Sequence, residues 1–456
     1  MRIIIIGCGK TGLALAESLN KEGHDIVVID TNATVVRDVA SSLDVMGING
    51  NGVIHDVQIE AGVKSADILI ATTGSDEINM LCCMIANEEG DHLHTIARIR
   101  DPEYDMDVKY IRERLNIGHI INPDKMTAQE IIHLLNFPSA LEIDTFARGT
   151  VDMIKMKLPE NSPLCGHMLK ELPKISSAPA LICIIERGSQ VIIPDGDTYL
   201  LKNDMISIVA KPLDAVQFCR DNRLEYARAR SAMVVGGSRI TYYIAQILKR
   251  RRSKLNLKII ELSEDRAVQL SDEFPEATVI HGDGSDHRLL LEEGIEAQDA
   301  FVALTNIDEE NMIMSMLASR IEGLRLITKI NRMQMEDFSD IEMPLGSIVT
   351  PKKITSEEVV RYVRSFERSI GSNMENLFMV ADDRAEACEF LVKDDERIVD
   401  IPLQNLHVKK NVIVAAIVRN NSVISPHGSD VMKVNDRVVI ITTNSGLHDL
   451  RDILAR

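Results

Sequence analysis

The feature that most constrains the fold of this 456-residue chain is an internal duplication. The second half repeats the first at separations of 228 to 232 positions, as seven pairs show: Gly7 and Gly236, Gly50 and Gly282, Gly52 and Gly284, Asn79 and Asn311, Pro123 and Pro351, Gly196 and Gly428, and Asp204 and Asp436. A repeat with so long a period means that one structural plan, about half the chain in length, is built twice.

Each copy begins with short β-branched runs that alternate with helical stretches, the pattern of parallel strands joined by crossover helices. In the first copy we predict strands over 2–6, 25–29, 45–48, 68–71, 95–99 and 119–121, with a helix after Pro123. In the second copy we predict strands over 232–235, 258–261, 278–280, 300–304 and 326–330. The fold class is therefore α/β, with two tandem copies of a Rossmann-type doubly wound parallel sheet.

The pattern changes after about residue 140, and again after about residue 370, to shorter strands separated by turn signals. One such signal is the segment Pro194-Asp195-Gly196-Asp197. A small α+β C-terminal domain is thus predicted after each Rossmann-type domain. The predicted domains are 1–138, 139–228, 229–368 and 369–456.

Charge and composition limit the compartment and the partners. The net charge of −18 repels nucleic acid, and no apolar run approaches the roughly 20 residues that span a bilayer. The N-terminus begins as a strand rather than as a signal peptide, so we expect a cytoplasmic protein. The seven cysteines form no Cys-x-x-Cys pair and are expected to be reduced core residues. A single basic cluster, 249–252, is interpreted as a solvated helix terminus.

The strongest motif is Gly7-Cys8-Gly9-Lys10-Thr11-Gly12, which follows the first strand and opens the first helix. The first glycine permits the tight turn, the second admits a pyrophosphate and the third allows close packing of helix on strand. Phosphates would then lie at a helix N-terminus, where free N–H groups favour anions. Asp30 ends the second strand, where a carboxylate accepts hydrogen bonds from a ribose diol and repels a 2′-phosphate. The motif therefore favours NAD(H) or an adenine nucleotide over NADP(H).

Three further segments are candidates for the same site. Asn51, between two glycines after the third strand, would meet an adenine edge, and a plain turn explains it equally well. After the fourth strand come Thr72, Thr73, Ser75 and Asp76, of which Ser75 or Asp76 is also suited to cap a helix. Arg98 matches phosphate geometry, with a structural ion pair as the alternative.

The second copy departs from this motif. Its turn reads Gly236-Gly237-Ser238-Arg239-Ile240-Thr241, so that Ser238 and Thr241 replace the second and third glycines. Glu261 stands in place of the ribose-binding aspartate and is the corresponding candidate there. We expect a second nucleotide site that is weaker, altered or empty.

These motifs together resemble the regulator-of-potassium-conductance family, also called RCK or KTN. The tandem arrangement, each nucleotide domain followed by a small C-terminal domain, is similar to the NAD-binding subunits of bacterial Trk potassium-uptake systems. This resemblance implies a peripheral regulatory subunit that gates an integral-membrane potassium-translocating protein of the Trk type. It implies NAD or NADH as cofactor, with ATP or ADP as further ligands, and a homo-oligomeric ring on the inner face of the membrane.

The resemblance also assigns roles to individual residues. It implies a phosphate loop of Gly7, Gly9 and Gly12, Asp30 on the ribose and Asn51 on the adenosine side. Lining residues would be Thr73, Ser75, Asp76 and Arg98. The helix from Met126 to Phe137 would be an assembly surface, and packing on its own sheet is the alternative.

An NAD-dependent dehydrogenase is the competing class. Such an enzyme needs a proton donor or acceptor beside the nicotinamide, and the sequence offers no candidate for that role. It likewise offers no third ligand for a metal site. We therefore expect a non-enzyme whose bound nucleotide acts as a signal. The alternative client is a different cation transporter, such as a cation/proton antiporter.

Overall fold

The computed structural model describes residues 1–89, 92–136, 140–147, 150–188, 190–224, 229–331, 343–369, 373–381, 384–395, 397–420, 422–444 and 446–455. The chain forms two compact units, each of which takes one segment from each copy. The first unit comprises Met1–Leu135 and Ala229–Val360, and the second comprises Asn136–Arg228 and Arg361–Arg456. The predicted domain boundaries at 138/139 and 228/229 fall on residues outside the described ranges or next to them.

The first Rossmann-type domain is a six-stranded parallel sheet in the order β3-β2-β1-β4-β5-β6. Its strands are β1 Arg2–Ile6, β2 Asp25–Asp30, β3 Met46–Asn49, β4 Ile68–Ala71, β5 His94–Arg98 and β6 His119–Ile121. Its helices are α1 Lys10–Lys21, α2 Ala33–Ser42, α3 His55–Glu60, α4 Asp76–Asn87, α5 Val108–Arg114 and α6 Pro123–Asn136. The central strands β1 and β4 are apolar and buried on both faces except at Arg2, as parallel strands covered by helices require. All six strands that the sequence predicts in this copy are present.

The first small domain is antiparallel, with strand order β10-β9-β11-β8-β7. Its strands are β7 Ala140–Phe146, β8 Val151–Lys157, β9 Leu181–Arg187, β10 Gln190–Ile192 and β11 Met205–Ala210. Its helices are α7 Leu172–Ile175 and α8 Pro212–Asp221.

The second Rossmann-type domain repeats the parallel order as β14-β13-β12-β15-β16-β17. Its strands are β12 Ser231–Val235, β13 Asn256–Glu261, β14 Thr278–His281, β15 Ala300–Ala303, β16 Arg325–Lys329 and β17 Ser347–Val349. Its helices are α9 Arg239–Arg250, α10 Glu264–Glu273, α11 His287–Glu292, α12 Asp308–Ala318 and α13 Pro351–Ser369. The sequence predicts five of these strands and misses β17, which is three residues long and begins with a serine.

The second small domain has strand order β18-β19-β22-β20-β21. Its strands are β18 Met374–Val380, β19 Ala385–Leu391, β20 Val412–Arg419, β21 Ser422–Ile424 and β22 Arg437–Thr442. Both small domains contain the same ion pair: Arg187 Nε donates to Asp204 at 2.8 Å, and Arg419 Nε donates to Asp436 at 2.9 Å. The predicted fold class, two tandem copies of a parallel sheet followed by a small α+β domain, is confirmed.

Within the first unit, α6 packs against the second copy. Its buried side chains Ala128, Ile131, Ile132 and Leu135 share one hydrophobic core with residues of β12 and α9. The Leu135 carbonyl accepts hydrogen bonds from the backbone N–H of Ala229, at 3.0 Å, and from Arg325 Nη1, also at 3.0 Å. In this chain the apolar face of α6 therefore joins the two copies to each other. Phe137, the last residue of the predicted assembly surface, lies outside the described residues.

Two further sequence predictions concern apolar segments and cysteines. Among the described residues, no helix has both the length and the apolar character needed to cross a bilayer. All seven cysteines are free thiols, and all except Cys165 are buried. Burial and the neighbouring carboxylate of Asp30 raise the pKa of Cys8 to about 12, so this thiol is protonated and unreactive at neutral pH.

Candidate functional site

The glycine turn after β1 has the geometry of a phosphate-binding loop. Gly7 has a φ of +93°, and a Cβ on Gly12 would lie only 1.9 Å from the Gly7 carbonyl oxygen. A Cβ on Gly9, in contrast, would meet no atom within 4 Å. Two of the glycines are thus required by the turn and by helix packing, whereas Gly9 faces open space.

The N-terminus of α1 lies directly behind that space. Helix α1 begins at Lys10, and neither a capping side chain nor an acidic residue in the first turn satisfies its free N–H groups. Lys10 is exposed and Thr11 is half-buried at the same end of the helix. Free N–H groups, the positive end of the helix dipole and a nearby ammonium together favour an anion.

Asp30 lies across the turn from this helix end. One carboxylate oxygen accepts the Cys8 backbone N–H at 2.7 Å, and the other accepts the Asn32 backbone N–H at 2.9 Å. The carboxylate is therefore fixed beside the glycine turn while its remaining lone pairs are available to a diol. Asn51 is exposed beyond β3, and its side-chain oxygen accepts the Val53 N–H at 3.2 Å. This bond belongs to a turn, so both interpretations of Asn51 stay open.

The loop after β4 is organised by Asn79, a residue that sequence reasoning did not assign to the site. Its side-chain oxygen accepts the Thr73 backbone N–H at 2.7 Å and the Thr73 hydroxyl at 2.8 Å. Its amide nitrogen donates to the Arg98 carbonyl at 2.8 Å. Thr72 in turn donates its hydroxyl to the Gly7 carbonyl at 2.9 Å. Buried Asn79 thus fixes β4 and β5 relative to each other, and Thr72 ties their loop to the glycine turn.

Ser75 and Asp76 have separate structural roles. Ser75 is the N-cap of α4 and accepts the Ile78 N–H at 3.2 Å. Asp76 is buried and accepts the backbone N–H groups of Arg100 and Asp101, at 2.8 and 2.9 Å. Asp76 therefore shapes the loop after β5, and it is Ser75 that caps the helix.

Arg98 faces a small cavity of about 110 Å³ that lies between the two copies. The residues that line it are Lys10, Thr11, Arg98, Arg100, Pro123, Asp124, Asn331, Pro351 and Lys352. Arg98 is 8% exposed, and its Nε has no hydrogen-bond partner among the described residues. Burial and the neighbouring Arg100 lower the pKa of Arg98 to about 10, so the side chain remains cationic at neutral pH.

The charges around this cavity are mostly positive. Four of its residues are cationic, and its single acid, Asp124, already forms an ion pair with Arg239 at 3.1 Å. A fifth cation, Lys329, is also buried; burial lowers its pKa, while the charges of Asp124 and Asp308 raise it and that of Lys10 lowers it. Arg98 Nε is buried without a hydrogen-bond partner among the described residues, and a lining with four cations and one paired acid favours an anion in the cavity. Sequence reasoning missed Lys352 and Asn331 because they come from the second copy.

The second copy preserves the acid but alters the turn. Glu261 accepts the backbone N–H groups of Gly237 and of Ser263, the latter at 2.8 Å, as Asp30 does in the first copy. Thr241, at the position of Gly12, donates its hydroxyl to the Gly236 carbonyl. In the first copy this bond to the turn comes from Thr72, whose counterpart in the second copy is Leu304. The change from Gly12 to Thr241 and the change from Thr72 to Leu304 are therefore coupled, because the Thr241 hydroxyl replaces the Thr72 hydroxyl as the donor to the glycine carbonyl.

An arginine also occupies the second turn. Arg266 of α10 donates through Nε to the Gly237 carbonyl at 2.7 Å, and burial lowers its pKa. The Ser238 hydroxyl oxygen is buried without a hydrogen-bond partner among the described residues. The second turn is therefore already contacted by a side chain of the protein.

Comparison with protein families identifies two domain types, each present twice. The TrkA-N domain family matches residues 3–123 and 232–343, and the TrkA-C domain family matches residues 153–221 and 388–455. Both resemblances therefore follow the duplication seen in the sequence.

Two relatives match over nearly the whole length of this chain. The Trk system potassium uptake protein TrkA of Vibrio alginolyticus is 31% identical over 457 residues, which cover 97% of this chain and 96% of that protein. The protein of the same name from Halomonas elongata is 30% identical, with coverage of 99% and 98%.

Solved structures share the fold at lower identity. The GsuK channel bound to NAD superimposes with a TM-score of 0.62 at 14% identity, over 98% of this chain and 77% of that one. The crystal structure of the GsuK RCK domain gives a TM-score of 0.62 at 15% identity, with coverage of 98% and 93%.

Proposed function

The chain belongs to the TrkA family, and from that premise we propose that it binds NAD(H) or an adenine nucleotide in its first copy and thereby regulates a potassium-translocating membrane subunit. The observation that carries the proposal is the open space at Gly9, which lies between the free N-terminus of α1 and the fixed carboxylate of Asp30. That arrangement supplies groups for two parts of a nucleotide: N–H groups for the phosphates and a carboxylate for the ribose.

The cationic cavity supports a proposal for how nucleotide binding in the first copy affects the second copy. Lys10 and Thr11 belong to the phosphate-binding helix end and also line the cavity, whereas Lys352 belongs to the second copy. A phosphate group that extends from the turn into the cavity would contact both copies at once. Such a ligand binds the packed arrangement of the copies more tightly than a separated one, and this difference in affinity is what a switch requires.

The proposed ligands are NAD or NADH, with ATP and ADP as alternatives that share the adenosine half. The GsuK channel, which shares this fold, has been solved bound to NAD, and Asp30 favours a ribose without a 2′-phosphate. We propose that the protein assembles as a homo-oligomeric ring and is held at the cytoplasmic face of the membrane by a Trk-type partner. A cation/proton antiporter remains the alternative client.

The proposed role is regulatory, and it includes the prediction that the protein is not an enzyme. An NAD-dependent dehydrogenase is the alternative, and it is distinguished by turnover: it would oxidise or reduce its bound cofactor in the presence of a substrate. A regulator releases the nucleotide unchanged. The absorbance of NADH at constant protein concentration separates the two: it changes with time if the protein is a dehydrogenase with its substrate present, and it stays constant if the protein is a regulator.

Calorimetric titration of the full chain tests the site directly. We expect NADH to bind more tightly than NADPH, with one strong site per chain. Asp30→Ala should weaken NADH binding by about ten- to a hundred-fold, the usual cost of losing hydrogen bonds to a charged group. Glu261→Ala is the matched control, because Glu261 also holds two backbone N–H groups beside the turn of its own copy.

The control separates loss of structure from loss of ligand. Both variants should lower the melting temperature by similar amounts, whereas only Asp30→Ala should lose the strong site. Equal loss of NADH affinity in the two variants, or two equal sites in the wild type, would contradict the assignment to the first copy.

A further inference from the structure

A cavity in the second copy lies at the opposite end of its sheet from the glycine turn. Its volume is about 480 Å³, within the roughly 300–1,000 Å³ typical of ligand pockets. It lies between the C-terminal ends of α9 and α10 and the start of β13. Its lining residues are Ala245, Leu248, Lys249, Arg252, Ser253, Lys254, Leu255, Leu257, Phe274, Glu276 and Ala277.

The lining is divided between an apolar floor and a cationic rim. Phe274 belongs to the hydrophobic core cluster below the cavity, and the partly buried Leu248 and Leu255 pack against that cluster. Lys249 lies over the Phe274 ring, with Nζ 5.4 Å from the ring centroid, and donates to the Glu273 carbonyl at 2.7 Å. Arg252 and Lys254 are exposed and form no ion pair with any residue that the structure describes. Glu276 is the only acid in the lining.

The duplication shows that this rim is not required by the fold. Helix α1 and helix α9 end in the same turn: Gly23 donates its N–H to Asn20 and Arg252 donates to Lys249, at 2.9 and 3.1 Å. Both residues adopt the left-handed conformation, with φ of +82° at Gly23 and +48° at Arg252. Glycine adopts this conformation without the Cβ clash that an arginine incurs. The second copy therefore places a less stable residue where the first copy has the favoured one.

Charge complementarity defines the occupant. On a chain with a net charge of −18, five cations stand within the six residues 249–254. One of them, Arg250, is paired with Asp105 at 2.8 Å, and Arg252 and Lys254 extend from the rim of the apolar cavity. A ligand that binds both the cationic rim and the apolar floor has an anionic head and a hydrocarbon body. We propose that this groove, lined by 245–257 and 274–277, binds an anionic phospholipid at a membrane surface, with the phosphate on the cationic rim and part of an acyl chain on the apolar floor.

Flotation of the full chain with lipid vesicles tests the proposal without nucleotide or transport, so its outcome is separate from that of the proposed function. The chain should float with phosphatidylglycerol vesicles and not with phosphatidylcholine vesicles. The double variant Arg252→Gly/Lys254→Ala should bind phosphatidylglycerol about thirty-fold more weakly, from about 1 kcal/mol for each of two cations near a charged surface. Arg252→Gly copies the residue of the first copy, so folding should be retained.

The matched control removes two cations elsewhere. Lys109→Ala/Lys353→Ala changes the net charge equally, and both side chains are exposed, at 81% and 73%. This control should float like the wild type. Equal loss of binding in both double variants would assign the effect to overall charge and overturn the proposal, as would failure of the wild type to bind phosphatidylglycerol.

A fluorescence measurement tests the apolar floor. The chain contains no tryptophan, so Glu276→Trp places a single reporter at the groove. Phosphatidylglycerol with brominated acyl chains should quench it, because quenching by bromine requires contact with the chain. Quenching by monomeric brominated fatty acid without quenching by vesicles would assign a soluble ligand and refute the membrane surface. Vesicle binding without quenching would show contact with headgroups alone and would also overturn the proposal.

Discussion

Replacing Gly9 with alanine should separate nucleotide binding from stability. Gly9 has a φ of −65° and a ψ of −172°, which any residue adopts, and an added Cβ would meet no atom within 4 Å. Alanine is a poorer N-cap than glycine by a few tenths of a kcal/mol or somewhat more, and it restricts the unfolded chain by a similar amount. We therefore expect Gly9→Ala to change the free energy of unfolding by less than about 1 kcal/mol.

The same methyl group would occupy the space proposed for the pyrophosphate. Exclusion of one phosphate oxygen from the helix N-terminus removes at least one charge-assisted hydrogen bond, worth about 1.5–3 kcal/mol. NADH affinity should therefore fall at least ten-fold in a calorimetric titration. Ser238→Ala, at the equivalent position of the second copy, is the matched control and should leave the affinity of the strong site unchanged.

Gly12→Ala provides the opposite case. Its Cβ would lie 1.9 Å from the Gly7 carbonyl oxygen, so α1 must move away from β1. Such overpacking costs about 1–3 kcal/mol, which thermal melting should detect as a loss of several degrees. Normal NADH affinity in a stable Gly9→Ala protein would refute the placement of the phosphates, and a large loss of stability in Gly9→Ala would refute the description of its surroundings.

Two further predictions concern stability. Tyr243→Phe should lower the free energy of unfolding by about 1–3 kcal/mol, because the buried Tyr243 hydroxyl donates to the Arg100 carbonyl and accepts from Asn122 Nδ2, both at 2.9 Å. An unchanged denaturation midpoint would show that these bonds between the copies contribute nothing to stability. Burial and the neighbouring His119 lower the pKa of His94 to about 4, so the folded protein holds His94 neutral while the unfolded chain is protonated below about 6.5. The free energy of unfolding should therefore fall as the pH drops from about 6.5 to about 4, and His94→Gln should make this dependence on pH weaker. The same dependence on pH in the wild type and in His94→Gln would contradict the shifted pKa.

The strands and the glycine turn were predictable because each depends on local sequence. Parallel strands buried on both faces are continuous β-branched runs, and the turn of the first copy carries all three glycines of its motif. Strand β17, Ser347–Val349, was missed although β6 of the first copy, which is equally short, was predicted. Its position became evident only from its pairing with β16.

Contacts between the copies could not be predicted in the same way. Lys352 and Asn331 lie more than 200 positions from Arg98 in the sequence, and nothing local to them indicates an anion site. An alignment of the copies shows that Thr72 and Thr241 occupy different positions. That the two hydroxyls have the same role is evident only from the structure, in which each donates to the carbonyl of the first glycine of its turn. The α6 helix was predicted as an assembly surface, but its partner, the second copy of the same chain, is evident only from the packed core.

Rubidium uptake by the natural host under potassium limitation tests the central claim most directly. A strain that lacks the gene would be complemented with the wild type, with Gly9→Ala or with Ser238→Ala at equal expression. We expect the wild type and Ser238→Ala to restore uptake and its response to nucleotide, whereas the folded Gly9→Ala protein should not restore that response. Uptake that is unaffected by deletion of the gene, or fully restored by a Gly9→Ala protein that no longer binds nucleotide, would contradict regulation of potassium transport by the nucleotide bound in the first copy.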